Sequence, residues 1–98
     1  MYPVSSVKVP WINTVFPGTA AVASGITAGL RALNRENDFV VLAMAGDGGT
    51  VDIGIQGLSG AAERNENFLY ICYDNEAYMN TGTQRSGATP KGVKTTTT

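Results

Sequence analysis

Two glycine-bearing loops hold the residues whose types suit metal and phosphate binding. The first is the Gly-Asp-Gly-Gly turn at 46–49, which contains Asp47, and the second is the polar segment 74–82, which contains Asn75. A carboxylate and an amide oxygen are ligands that a hard cation such as Mg²⁺ accepts. Glycines let backbone N–H groups approach a diphosphate at a helix N-terminus. The two loops therefore predict a metal–diphosphate site.

The elements around these loops predict where they lie. A nearly continuous apolar run at 39–44 precedes the first loop, and a second run at 68–73 precedes the other. Runs of this kind are typical of parallel strands buried on both faces. The segment 50–64 between them has helical periodicity, with an apolar face of Val51, Ile55, Leu58 and Ala62. A βαβ unit from roughly 38 to 73 would bring both loops to the carboxyl ends of neighbouring strands, where open parallel sheets bind ligands.

An amphipathic helix is predicted from Thr19 onwards. Its apolar face is Val22, Ile26, Leu30 and Leu33, and its polar side is Ser24, Thr27, Arg31 and Asn34. Gly25 and Gly29 lie one turn apart within it, although glycine in a helix costs about 1 kcal/mol relative to alanine. We therefore expect another backbone to approach closely there.

Composition restricts the classes of function. The 98 residues suit one domain, and the net charge of -1, without a basic stripe, argues against nucleic acid as a partner. No segment resembles a membrane span or a signal peptide, so a cytoplasmic protein is expected. The single cysteine, Cys72, excludes an internal disulfide and cannot hold an iron–sulfur cluster by itself. Within its apolar strand, Cys72 is expected to be buried.

The chain divides into three parts by composition. Residues 1–18 form a proline-interrupted, irregular lead-in, residues 19–73 form the helix and βαβ core, and residues 74–98 form a polar cofactor loop and tail. Together they predict a single, partial α/β domain that is a piece of a longer subunit. The glycine turn alone would equally suit a structural role. A Rossmann nucleotide site fits poorly, because Val51 occupies the position of the third glycine.

A family resemblance strengthens the chemical interpretation. The order Gly-Asp-Gly, then an asparagine after the next strand, resembles the signature of thiamine diphosphate enzymes. The stretches VPWIN, AAVASGITAGLRAL and YDNEAYMNTGTQRSGATP resemble the beta subunit of pyruvate:ferredoxin oxidoreductases. Two features depart from that family: the cysteines that hold a [4Fe-4S] cluster have no counterpart, and Asn13 stands where the family has histidine.

The resemblance implies roles for individual residues. Asp47, the Asn75 side chain and the Ala77 carbonyl would be Mg²⁺ ligands, with diphosphate oxygens helping to complete the octahedron. Gly46, Gly48 and Gly49 would approach the diphosphate. Asn80 would lie near the reactive thiazolium as the catalytic residue of this chain, and Thr81 would reach the diphosphate. The roles of Arg85 and Asn13 stay open.

The implied activity is oxidative decarboxylation of pyruvate to acetyl-CoA, with electrons passing to ferredoxin. Alpha, gamma and delta-type subunits would be partners, coenzyme A and a 2-oxoacid would be substrates, and any [4Fe-4S] cluster would belong to the complete complex. The isolated chain is expected to be inactive. The alternatives are a 2-oxoisovalerate enzyme, another thiamine diphosphate carboligase or decarboxylase, and a non-catalytic fragment or assembly module.

Overall fold

The computed structural model describes residues 7–98. A 3₁₀ turn at Phe16–Gly18 leads into the first helix. The elements are helix α1 (Thr19–Ala32), strand β1 (Leu42–Gly46), a π-helical turn (Gly48–Asp52), helix α2 (Ile55–Glu63), and strands β2 (Leu69–Tyr73), β3 (Ala77–Tyr78) and β4 (Gln84–Arg85). Among the described part of the predicted lead-in, residues 7–15 contain no helix or strand. No helix within residues 7–98 is long and apolar enough to cross a membrane.

The predicted parallel βαβ arrangement is confirmed. Strands β1 and β2 pair in parallel, with Leu42 opposite Leu69 at one end and Gly46 opposite Tyr73 at the other. The chain reaches β2 through the π-helical turn and α2, since parallel strands need a crossover connection. Strands β3 and β4 form a separate antiparallel ribbon within the segment that follows β2. The fold is therefore α/β, with both candidate loops at the carboxyl edge of the parallel pair.

Alanine makes up the buried apolar core of the described chain. The fully buried apolar side chains are Ala20, Ala23, Ala43, Ala45, Ala61 and Ala77. Helix α1 packs against both β1 and α2. At the α1–α2 contact, a Cβ atom built on Gly57 would lie 3.5 to 3.8 Å from atoms of Ala20 and Ala21. Small side chains therefore let the two helices approach closely.

The prediction that both strands are buried on both faces is wrong. Leu42 and Met44 of β1 are 50% and 42% exposed, whereas Ala43 and Ala45, which alternate with them, are buried. Successive side chains of a strand point to opposite faces, and α1 covers only the alanine face. By the register of the pair, the uncovered side carries an open sheet face, consisting of Leu42, Met44, Leu69, Ile71 and Tyr73.

Two finer predictions for this sheet also need correction. Strand β1 begins at Leu42, later than the predicted run at 39–44, and Phe39 and Val40 before it are exposed. Cys72 is exposed and was expected to be buried. Its neighbours on the face that it shares with Ala45 do not cover it, because β2 lies at the edge of the two-stranded sheet.

The helices bury different faces from those predicted. In α1 the buried residues are Ala20, Ala23 and Thr27, and the hydroxyl of Thr27, expected on the polar side, donates to the Ala23 carbonyl at 2.9 Å. The predicted second helix is split into the π-helical turn and α2, and Ala61 is its buried residue in place of Ala62. The break occurs at Gly54, where a Cβ atom would lie only 1.9 Å from the Gly49 carbonyl oxygen.

Gly25 and Gly29 do not meet another backbone in this structure. A Cβ atom built on either residue has no neighbour within 4 Å. The expected close approach is therefore not found among the described residues. Glycine lowers the stability of the helix at these two positions, and no closer packing offsets that loss.

Glycine substitutions test this difference between the two kinds of position. Gly29→Ala should raise the free energy of unfolding by about 0.5–1 kcal/mol, because helix propensity improves and nothing is displaced. Gly54→Ala should lower it by about 1–3 kcal/mol, because the new methyl group overlaps the Gly49 carbonyl. Denaturant unfolding of the two variants beside the parent chain measures both. Equal effects of the two substitutions would contradict the packing described at Gly54.

Candidate functional site

The side chain of Asp47 occupies the centre of the carboxyl edge of the sheet. It follows β1 directly and is 2% exposed. Its backbone, with φ -61 and ψ -47, is helical and starts the π-helical turn. A carboxylate so deeply buried needs hydrogen-bond donors or a cation to offset its lost hydration. The partners of Asp47 therefore define the site.

The two oxygens of the Asp47 carboxylate face different partners. The hydroxyl of Ser86, which is 1% exposed, donates to Oδ2. Oδ1 lies 2.9 Å from the inner atom of the Asn75 amide, which is the nitrogen or oxygen that points toward Asp47. The structure thus brings Asp47 and Asn75 together as the sequence predicted, and adds Ser86 from a more distant segment.

The Asn75 amide lies between two acceptor oxygens. Its inner atom is 2.8 Å from the Ala77 carbonyl oxygen and 2.9 Å from Asp47 Oδ1. With the amide nitrogen inward, it donates hydrogen bonds to both oxygens, and this is the favourable orientation for the chain alone. With the amide oxygen inward, three acceptors would face one another. Such an arrangement is stable only around a cation.

The spacing of these oxygens fits a small octahedral cation. Ligands at the Mg²⁺–oxygen distance of about 2.0–2.1 Å lie roughly 2.9 Å apart along an octahedron edge. The two measured separations, 2.8 and 2.9 Å, match that edge. The donor set is one carboxylate, one amide and one carbonyl, which are the oxygen ligands of hard cations. Within residues 7–98 no group of three or more His, Cys, Asp or Glu side chains forms a cation site.

A tight turn at 74–77 places Asn75 and Ala77 on the same side. The backbone N–H of Glu76 donates to Asp74 Oδ1 at 2.8 Å, and Glu76 has a φ of +67. The left-handed region is uncommon for a residue with a side chain, and the hydrogen bond that Asp74 accepts stabilises this strained turn. Ala77, which follows, is buried and begins β3. This reversal brings the Ala77 carbonyl back toward Asn75.

A second polar cluster holds the first loop against the segment after β4. The Asp52 carboxylate accepts the hydroxyl of Tyr78 at 2.9 Å and the backbone N–H of Gly87 at 2.9 and 3.0 Å. The Tyr78 hydroxyl also lies 3.3 Å from the Gly48 carbonyl. Burial, and then the Asp52 hydrogen bond, raise the pKa of Tyr78 to about 12. Tyr78 therefore remains a neutral donor at physiological pH.

The glycines of the first loop lie against other parts of the chain. A Cβ atom on Gly48 would come within 2.1 Å of the Tyr78 ring, and one on Gly49 within 2.7 Å of the Phe16 carbonyl oxygen. One on Gly46 would lie 3.5 Å from the Tyr73 ring, an ordinary contact. Two of the three glycines are thus required by internal packing, independently of any diphosphate.

The remaining predicted residues lie on the β3–β4 ribbon. Asn80 and Thr81 are exposed in the turn between β3 and β4. The hydroxyl of Thr81 donates to the Gln84 side chain, so its partner lies within that turn. Arg85 belongs to β4, and its backbone N–H donates to Thr97 Oγ1 at 3.0 Å. Asn13, near the amino end of the described chain, accepts a hydrogen bond from the Trp11 indole at 2.8 Å.

Sequence reasoning assigned no role to Ser86, Thr89 or Tyr78. Ser86 and Thr89 are small polar residues in a segment without periodicity, and their burial depends on contacts with residues far away in the sequence. Asp52 lies in the segment 50–64, for which the sequence predicted only a helix. The one available signal was the polar stretch SGAT itself, which follows the cofactor loop.

Two open clefts occur elsewhere, toward the amino ends of the strands. One lies between the end of α1 and the segment 36–41, and the other between α2 and the start of β2. Neither is lined by Asp47, Asn75 or Ala77. The cluster of Asp47, Asn75 and Ala77 oxygens is therefore the candidate site, and neither cleft is part of it.

Comparisons with known proteins identify the family of the chain. Residues 4–98 match the family described as thiamine pyrophosphate enzyme, C-terminal TPP binding domain. The chain is 59% identical over 96 residues to pyruvate synthase subunit PorB of Methanothermobacter thermautotrophicus, covering 98% of this chain and 33% of that protein. It is 56% identical over 97 residues to the same subunit of Pyrococcus furiosus, covering 99% and 29%.

A relative named for a different substrate is nearly as similar to this chain as the pyruvate synthase subunits are. Ketoisovalerate oxidoreductase subunit VorB of Pyrococcus horikoshii is 52% identical over 101 residues, covering 99% of this chain and 32% of that protein. The chain belongs to the thiamine pyrophosphate enzyme family and corresponds to its C-terminal cofactor-binding domain. It spans about a third of the length of these relatives.

The raised pKa of Tyr78 gives a prediction about pH. Because the folded pKa, about 12, exceeds the ordinary value of 10.0, the Tyr78 contribution to stability is complete below pH 10 and is lost as pH rises from 10 to 12. Ultraviolet titration of tyrosinate should show a component near pH 12 that Tyr78→Phe removes. A difference between the two titration curves that is confined to the region near pH 10 would contradict the burial of this hydroxyl.

Proposed function

We propose that this chain is the thiamine diphosphate and Mg²⁺ binding part of the beta subunit of a 2-oxoacid:ferredoxin oxidoreductase of the pyruvate type. The observation that carries the proposal is the convergence of Asp47, Asn75 and Ala77 oxygens at the carboxyl edge of a parallel strand pair. The family match to a cofactor-binding domain supports the diphosphate ligand. The similarity to pyruvate synthase subunits supports the reaction.

In this proposal Asp47 Oδ1, Asn75 Oδ1 and the Ala77 carbonyl bind Mg²⁺. Protein sites supply few ligands to Mg²⁺, and substrate phosphates and water complete its octahedron. The amide of Asn75 would turn by half a rotation, exchanging its inward nitrogen for its oxygen when the cation binds. The surrounding turn needs no other change, since the observed separations already match the octahedron edge.

Other residues of the chain would hold the organic cofactor. The N–H groups of Gly46, Gly48 and Gly49 would approach the diphosphate, and Thr81 would reach it from the β3–β4 ribbon. Asn80 would lie near the thiazolium ring. The Tyr78 ring packs on Gly48 and leaves no room for a side chain there, which keeps the loop backbone in place beneath the diphosphate.

When bound, thiamine diphosphate supplies the nucleophilic carbon for oxidative decarboxylation of a 2-oxoacid. The residues of this chain bind and orient it, and they provide no redox centre of their own. With a single cysteine, the sequence cannot supply the four thiolates of a [4Fe-4S] cluster. In the complete enzyme, alpha, gamma and delta-type partner subunits would complete the site in the cytoplasm, electrons would pass to ferredoxin, and coenzyme A would accept the acyl group.

Pyruvate is the substrate that we favour. The relatives named pyruvate synthase reach 59% and 56% identity, and the ketoisovalerate relative reaches 52%. The difference is small, so 2-oxoisovalerate is the second candidate. Comparing reduction of ferredoxin by the assembled enzyme with each 2-oxoacid distinguishes them.

Removal of the buried carboxylate tests the metal assignment. Asp47→Ala in the assembled enzyme should lower Mg²⁺-dependent affinity for thiamine diphosphate at least about 100-fold, because one charged ligand of the cation is lost. Isothermal titration calorimetry with the cofactor and Mg²⁺ measures this. The control is Asp38→Ala, which removes an exposed carboxylate that pairs with Arg35 and precedes β1, at the opposite end of that strand from Asp47. Unchanged affinity of Asp47→Ala would exclude Asp47 as a ligand.

A charge introduced at Asn75 tests the converging oxygens. Asn75→Asp places a second carboxylate beside Asp47 Oδ1, so without cation the free energy of unfolding should fall by about 1 kcal/mol. Cofactor affinity should also fall, because the site already holds an anionic diphosphate. Added Mg²⁺ should restore much of the lost stability. Denaturation with and without Mg²⁺ measures this, and a loss that Mg²⁺ does not reverse would argue against a shared cation.

A further inference from the structure

One short segment contacts both loops that contribute to the candidate metal site. This segment, the 86–89 turn, consists of Ser86, Gly87, Ala88 and Thr89 and follows β4. Ser86 donates to Asp47, Gly87 N–H donates to Asp52, and the Thr89 hydroxyl donates to the Glu76 carbonyl. The turn thus links the loop after β1 to the loop after β2.

Hydrogen bonds hold the Ser86 hydroxyl in one orientation. It accepts the backbone N–H of Ala88 at 3.2 Å, and it donates its single proton to Asp47 Oδ2. The Ser86 backbone N–H is itself held by Thr89 Oγ1 at 3.0 Å. Because Ser86 is 1% exposed, no solvent competes for these contacts. The Asp47 carboxylate therefore has one oxygen bound to a fixed donor and the other free to face Asn75.

From this geometry we infer that Ser86 is a positioning residue that restricts Asp47 to monodentate coordination and so selects Mg²⁺ over Ca²⁺. The inference rests on the proposed metal-binding function. Mg²⁺ requires six ligands in near-ideal octahedral geometry, for which a single carboxylate oxygen suffices. Ca²⁺ accepts six to eight ligands at longer distances and commonly takes both oxygens of one carboxylate. A donor fixed on Oδ2 holds that oxygen toward Ser86, which disfavours its use as a second ligand of the same cation.

The loss of this donor should change the ratio of two affinities. In Ser86→Ala, Oδ2 has no fixed donor and can rotate toward the cation, so Ca²⁺ gains a ligand that Mg²⁺ cannot use. We expect the affinity for Ca²⁺ relative to Mg²⁺ to rise about tenfold, the size expected for one hydrogen bond to a charged group. A residue that served only to stabilise the fold would weaken both cations equally and leave the ratio unchanged.

The experiment uses Mn²⁺ as the probe in the assembled enzyme. Electron paramagnetic resonance measures Mn²⁺ bound in the presence of thiamine diphosphate, and Mg²⁺ and Ca²⁺ are then titrated in as competitors. Two variants of Ser86 are measured, so that the test can be made even if one of them does not fold. Ser86→Ala lacks the donor, and Ser86→Cys carries a thiol of similar size that is a poor donor. Thr27→Val is the matched control, because it removes a buried hydroxyl of α1 that donates to the Ala23 carbonyl and contacts neither Asp47 nor Ser86.

A rise in the Ca²⁺ to Mg²⁺ affinity ratio in the Ser86 variants, with the wild-type ratio kept in Thr27→Val, supports the inference. An unchanged ratio in the Ser86 variants overturns it, and so does an equal rise in Thr27→Val. Both of these outcomes leave the proposed function intact, because the wild-type enzyme still binds Mn²⁺. If the wild-type enzyme binds no Mn²⁺ in the presence of thiamine diphosphate, the proposed metal site and this inference fail together.

Discussion

The buried negative charge of Asp47 is the constraint on which the rest of this structure depends. A carboxylate with 2% exposure is unstable in a protein interior unless donors or a cation surround it. Its donors cannot come from its own strand, because the π-helical turn carries the chain away immediately after it. They come from Asn75 after β2 and from Ser86 after β4. The long segment after β2 therefore has to fold back over the carboxyl edge of the sheet.

The contacts that hold the segment after β2 over the edge of the sheet form two separate groups. One consists of Ser86 and Asn75 around Asp47, and the other consists of Tyr78 and Gly87 around Asp52. Both acidic residues lie in the first loop or its π-helical turn, and both groups draw on the same distant segment. Hydrogen bonds to ionised groups are stronger than those between neutral ones. Two carboxylates thus add charge-assisted hydrogen bonds to the packing of Ala77 and Tyr78 in this segment.

Sequence reasoning predicted the meeting of Asp47 with Asn75 and missed the residues that support it. The parallel strands and the meeting of Asp47 with Asn75 followed from periodicity and from the rule that ligands bind beyond the carboxyl ends of strands. The role of Ser86 could not be predicted, because a serine in an aperiodic segment gives no sign of its partner. The exposure of Leu42 and Met44 could not be predicted either, since an apolar pattern shows which faces could be buried and not what covers them.

The alanine core has a consequence for how steadily the proposed metal ligands are held. Alanine has no side-chain torsion, so a core of alanines contains no rotamers that could exchange. Contacts between α1, α2 and β1 are then close to contacts between main chains, and thermal hops of side chains cannot widen or narrow them. Asp47 comes directly after Ala45 and Gly46 on this rigid support. The thermal displacement of the Asp47 carboxylate is therefore set by motion of the backbone. This property favours a cation whose ligand distances vary little.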